Sequence, residues 1–145
     1  MSQAAQVIAL LAGSAGAPIV KERLAGVAGI IPGMQVRESA GNVIINTTAG
    51  KGPALIALPN LPVSADIDTA YADGVTVRYG AFHSGQEVYV LVAAGTAAIA
   101  DGAPLTGVSG GTFGPGTEAT AILHAMEAVD NSGGSGSVRI KARVA

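Results

Sequence analysis

The sequence has no cysteine, no tryptophan and only five other aromatic residues, three Tyr and two Phe, in 145. Without cysteine there are no disulfide staples, no thiol nucleophile and no thiolate metal site. Charge is scarce as well, at 12% of residues against 49% hydrophobic. No Lys/Arg cluster reaches the density that phosphate neutralisation demands, and aromatic platforms for base stacking are few, so nucleic acid is not an expected partner. Long apolar runs are missing. Alanine and valine are scattered between glycines, and no stretch approaches the ~18–20 residues that cross a bilayer as a helix. The opening "MSQAAQVIALLAGSAGAPIV" is apolar, but no basic residue precedes Lys21, whereas a secretory signal needs a positive n-region. No membrane partner is expected.

What is plentiful is glycine, 21 residues, joined by seven prolines. At that density they punctuate the chain into short strands and turns, which predicts an all-β fold of one domain. So apolar a composition leaves more hydrophobic surface than a small free monomer normally exposes, which implies assembly. Charge is unevenly placed: residues 1–60 hold four basic and two acidic groups, 61–130 one basic and eight acidic, and 131–145 three basic and none acidic.

Alternation locates the strands. In "YADGVTVRYGAFHSGQEVYVLVAAG", Val75, Val77 and Tyr79 share one face and Thr76 and Arg78 the other. After the turn "HSGQ", Val88, Val90 and Val92 oppose Tyr89 and Leu91, giving a strand apolar on both faces and expected to be buried on both. The segment reads as a hairpin. A second hairpin is predicted around "ESAGN", with Met34 and Val36 before it and residues 43–48 returning. "PGMQV", "DGVTV" and "DGAPL" share a grammar in which a turn glycine stands three residues before an inward aliphatic. Leu55, Ile56 and Leu58 run into two prolines, which marks an edge strand or a crossing loop. Residues 119–128 fit a short helix or strands. Strands are favoured, because "DNSGGSGS" is a flexible connection and Val138, Ile140, Ala142 and Val144 then alternate strictly with Arg139, Lys141 and Arg143. Residues 1–25 lack a period of two and read as an extended N-terminal arm, leaving 26–145 as the β-rich domain, a small curled barrel or sandwich.

Reactive groups are sparse. His83 lies in a turn and His124 in the penultimate strand, without a paired-histidine spacing that would ligate a metal. Asp66 and Asp68 share a strand-face spacing but have no third ligand nearby, and read as a solvated loop. The loops "SGGTFGPGTE" and "NSGGSGS" lack the phosphate-loop pattern, and no serine stands in a GxSxG elbow. Asn46 begins "NTT", a glycosylation triplet inside an expected strand. Neither a catalytic residue nor a metal, cofactor or small-molecule substrate is expected. A small ligand-binding or metal-dependent β-barrel enzyme stays the alternative, to be signalled by a carboxylate cluster at Asp66 and Asp68. A secreted adhesive β protein processed near Ala17 is a third class.

Phrases made by Tyr71, Gly74 and Val77, by Gly85, Glu87, Val88 and Tyr89, by Ile99, Gly102 and Leu105, and by Ala125, Glu127, Ala128, Val129, Asp130, Asn131 and Ser132 resemble the phage head decoration, or capsid cement, proteins. The resemblance covers residues 25–145 and implies a β-tulip-like, non-enzymatic domain. Such a domain binds the outside of an assembled phage head, often as a homotrimer, and stabilises the shell against internal DNA pressure. Its implied partners are the major capsid protein and other copies of itself, in the host cytoplasm during assembly and then on the virion. On that reading Val7, Ile8, Leu10 and Leu11 of the arm are the expected capsid or intersubunit contacts, with Lys21 and Arg23 pairing acidic shell residues.

Overall fold

The structure, a computed structural model, describes residues 17–60 and 66–145. Ten strands run in chain order: β1 Ile19–Leu24, β2 Val36–Ser39, β3 Asn42–Ile45, β4 Leu55–Ala57, β5 Thr76–Ala81, β6 Glu87–Val92, β7 Pro104–Gly107, β8 Phe113–Pro115, β9 Leu123–Ala125 and β10 Val138–Val144. No helix occurs among the described residues, so the all-β expectation holds.

The strands form three sheets. β1, β5 and β4 make a three-stranded antiparallel sheet with β5 in the middle. β2 and β3 form a hairpin, and β10, β6, β8, β7 and β9 bond in a closed ring. Within that ring one contact is slight: β6 and β8 meet in parallel through the single pair Val92 and Phe113. Two apolar clusters fill the structure. The barrel encloses Val88, Val90, Val92, Leu105, Phe113, Leu123, Ile140 and Ala142, and a second cluster joins Ile30, Val36, Val43, Tyr71, Val77 and Tyr79 beneath the smaller sheets.

The turn grammar is obeyed. Gly33, Gly74 and Gly102 all have left-handed backbones, with φ of 97°, 79° and 85°, and the aliphatics three residues on, Val36, Val77 and Leu105, are buried. The β2–β3 loop is Ala40–Gly41, both at positive φ, as a two-residue loop matching the strand twist requires. β4 is an edge strand. Residues 123–125 are a strand rather than part of a helix, and in β10 Ile140, Ala142 and Val144 point inward.

The 71–95 hairpin is a correction. Both strands and the turn exist, but β5 and β6 are not partners. β5 is flanked by β1 and β4, and β6 by β10 and β8. The turn instead hands the chain from one sheet to another. Phe82 N–H donates to the Ala54 carbonyl at 3.0 Å on one side, and Gly85 N–H to the Val144 carbonyl at 2.9 Å on the other. Alternation specifies which face a residue shows and leaves the neighbour unspecified.

Gly33 joins the two halves. Its N–H donates to Ala57 of β4 at 2.9 Å and its carbonyl accepts from Leu91 of β6 at 3.2 Å. A Cβ there would stand 3.3 Å from the Tyr89 carbonyl oxygen, so close approach and positive φ both call for glycine.

Candidate docking surface

The chemistry-bearing residues are engaged in holding the fold. Asp66 accepts from the Thr69 hydroxyl at 2.8 Å and the Asp68 N–H at 2.9 Å, and these bonds, that from Thr69 first, hold its carboxyl below the ordinary value. Asp68 faces Arg139 at 2.6 Å. His124 Nε2 meets Glu118 at 2.9 Å, and His83 lies exposed in its turn. Among the described residues no group of three His, Cys, Asp or Glu converges where a metal would sit. Asn46 is buried, and its Nδ2, the atom a glycan would occupy, donates to Gln35 Oε1 and to the Thr48 carbonyl, each at 2.8 Å. A shallow cleft of about 380 Å³ at the barrel end is lined by Asp101, Gly102, His124, Ala125, Met126 and Arg143. Arg143 also lies 3.4 Å from Glu87.

The unusual surface is at β1. The large hydrophobic side chains most exposed among the described residues are Ile19, Val20, Leu24, Val27 and Val75. They gather at one place: β1 itself, the loop after it, and Val75, whose carbonyl accepts from Ala25 N–H at 2.8 Å. Leu24 is 52% and Ile19 57% exposed, far from the burial such side chains usually find. Val20 and Leu24 share one face of β1 and Ile19, by the same alternation, takes the other, so the exposed apolar area follows the strand, and its concentration there makes β1 the candidate contact surface.

Register sorts the two faces of β1. Lys21 opposes Tyr79 and Arg23 opposes Val77, facing inward, while Val20, Glu22 and Leu24 oppose Gly80, Arg78 and Thr76 on the outer face. On the inward-facing side, at its solvent-exposed rim, Glu38 of the β2–β3 hairpin gathers the charges. It pairs with Lys21, lies 3.4 Å from Arg23 and accepts from the Tyr79 hydroxyl at 2.8 Å. Lys21 Nζ also stands 5.8 Å from the centre of the Tyr79 ring, within cation–π range. The hydrogen bond from Lys21, then that from Tyr79, holds the Glu38 carboxyl below its ordinary 4.5. Tyr79 is pushed up to about 12, by burial first and then by Glu38.

These shifts have a sign. A carboxyl whose folded value is lowered contributes stability above its ordinary 4.5 and loses it as pH falls through the lowered value. A tyrosine raised to about 12 does the opposite, contributing below pH 10 and losing as pH rises toward 12. Glu38→Gln is therefore expected to flatten the acid limb of the melting temperature against pH and, because Glu38 also helps to raise Tyr79, to shrink the alkaline limb without abolishing it, since burial of Tyr79 remains. An acid limb unchanged from wild type would count against the Glu38 anchor.

Of the contacts expected from sequence, Val7, Ile8, Leu10 and Leu11 lie outside the described residues. Lys21 and Arg23 lie on β1 and converge on Glu38. Residues 19–24, grouped with the arm in the sequence, are paired along their length with β5. Sequence reasoning missed Val20, Leu24, Val27 and Val75 as a group. The available signal was a weak one: two aliphatics in outward register around a charged trio.

No family model and no curated protein matches the sequence. The fold does have a counterpart. The chain is similar to the N base of head fiber gp8.5 of bacteriophage phi29, a crystal structure, at a TM-score of 0.55 and 12% identity over 88% of this chain and 93% of that one. At that identity the likeness is one of fold. It spans nearly all of both chains.

Proposed function

We propose that the protein is a non-enzymatic structural component of a phage head, a decoration or cement protein that binds the shell exterior and bridges capsomers. One observation carries the reading: the exposed large hydrophobics gather on β1 and its surroundings, in a fold similar to the N base of a phage head fiber. The barrel supplies a rigid body, and the surface beside β1 supplies the contact. Lys21 and Arg23 share one carboxylate, Glu38, which leaves one surplus cation on that face of β1, while Glu22 on the outer face pairs with Arg78; the surplus suits an acidic patch of the major capsid protein.

The mechanism is mass action. A protein that binds only the assembled shell stabilises it by its binding free energy, and repeated copies spanning neighbouring capsomers multiply modest contacts. A homotrimer on the outer surface, loaded from the host cytoplasm during assembly, gives that repetition. Co-sedimentation with assembled shells tests it. Val20→Glu with Leu24→Glu, both on the exposed outer face of β1, is expected to cut binding by roughly tenfold or more, since burying each aliphatic is worth about 1.5–3 kcal/mol. The melting temperature should change little. Undiminished sedimentation of the double variant, or wild type that ignores shells altogether, overturns the reading.

A further inference from the structure

β1 ends its sheet. β5 takes one side of it, and among the described residues no strand pairs with the other. Only beyond its last residue does that side gain a partner, where Ala25 bridges Val43 and Gly26 N–H donates to Val43 at 2.8 Å. Open edges invite strand addition, and proteins usually blunt them with proline, a bulge or charge aimed along the edge. β1 has no proline, and its two cations turn inward to Glu38.

Charge order does, however, guard this edge against its own copy. A two-fold axis relating antiparallel strands stands normal to the sheet and keeps each residue on its face, so opposed residues must both be odd or both even. Two such registers keep five of the six residues paired. One sets Lys21 against Lys21 of the second copy, and the other sets Glu22 against Glu22 and Lys21 against Arg23. Like charges directly opposite are destabilising. The register that would match Lys21 with Glu22 is the one the symmetry forbids.

An edge closed to itself yet unguarded otherwise fits a strand without charge. The sequence holds one: all eighteen Asp, Glu, Lys and Arg residues lie at or after position 21. Residues 7–12, "VIALLA", are apolar throughout and equal the six residues of β1 in length. Either face of such a strand would set aliphatics beside Val20 and Leu24 or beside Ile19 and the stems of Lys21 and Arg23.

We propose that the outer edge of β1 accepts residues 7–12 of a neighbouring copy as an added strand. Pro18 holds Ala17 extended, so the chain cannot turn tightly at the first residue of β1 and must first leave the edge. The connecting residues 13–18 reach at most about 20 Å, so the accepting edge must lie within that distance of the donor's own β1. Each copy then donates to the next, a head-to-tail arrangement that closes as a ring. This deepens the docking reading by assigning the arm's partner, and it is tested without shells so that the two fail separately.

The absence of native cysteine makes the test clean. Val20→Cys is mixed with each of Val7→Cys, Ile8→Cys, Leu10→Cys and Leu11→Cys, oxidised, and run on a non-reducing gel, with circular dichroism verifying the β-fold of every variant. A heterodimer is expected from at least one mixture and from no variant alone. No heterodimer in any mixture overturns the proposal. So does an intramolecular crosslink confined to double variants such as I8C/V20C, which would place the segment on its own β1. A homodimer of Val20→Cys alone would show β1 pairing with itself, against the charge argument.

Discussion

Phe113→Ala is expected to lower the unfolding free energy of the unassembled protein by about 4 kcal/mol, within the ~3–5 kcal/mol typical of emptying a buried phenylalanine site. Phe113 is fully buried and belongs to the cluster containing Val92, Leu105 and Ile140. It also stands at the single point where β8 meets β6, and its carbonyl accepts from Ala93 N–H at 3.0 Å. The ring therefore fills the barrel at the place where the backbone holds it most thinly. A loss of about 4 kcal/mol is a large fraction of the ~5–15 kcal/mol that keeps a domain folded. Phe113→Leu retains most of the volume and should lose less than about 1.5 kcal/mol. Urea melts read both variants. Equal, small losses would mean that the seam does not depend on this side chain.

The second large effect is expected at Arg139. Its guanidinium donates to the Pro32 carbonyl at 2.7 Å, to the Ile67 carbonyl at 3.0 Å and to Asp68 at 2.6 Å. One side chain of β10 thus ties the barrel to two loops of the other half. Arg139→Met keeps an apolar stem but leaves both carbonyls without this donor. Hydrogen bonds to a charged group are worth about 1.5–3 kcal/mol, so a loss of about 3 kcal/mol is expected. Asp68→Asn is the informative companion. Asp68 is 77% exposed while Arg139 is 16% exposed, and an ion pair with one partner so wetted contributes less than about 1 kcal/mol. If Asp68→Asn proved as costly as Arg139→Met, the anchor would be the ion pair rather than the carbonyls.

Arg139 also marks a limit of sequence reading. In the alternation of β10 it looks equivalent to Lys141 and Arg143, and period two places all three on the outside of the barrel. Nothing local announces that residues 32 and 67, more than seventy positions away, cover one of the three. The pairing of β5 and β6 failed for a related reason, since a turn and two alternating strands do not specify which edge each strand will find. Gln35 and Asn46 form a buried polar pair that no pattern distinguishes from surface residues.

The legible parts were those decided within a few residues. A glycine at φ > 0 fixes the direction in which a strand enters, and an aliphatic three positions on is turned inward, which is why Gly33, Gly74 and Gly102 could be read. The loop at Ala40–Gly41 is local in the same sense. β10 was legible because strict alternation over seven residues leaves few other ways to bury Ile140, Ala142 and Val144. At the candidate surface, the presence of exposed apolar area was the expectation from composition. Its location was not, because Val20 and Leu24 become a patch only once β5 fixes which way they face.

The pairing of Ile19 with Ala81 has a mechanical meaning. The chain preceding β1 and the connection from β5 into the barrel leave the β1–β5 ladder from the same end. Tension between the N-terminal segment and the barrel therefore falls on that terminal rung first and passes to the next only when it yields. The ladder opens like a zipper rather than shearing all at once, so a pull on the N-terminal segment would peel one strand away while the barrel stays whole.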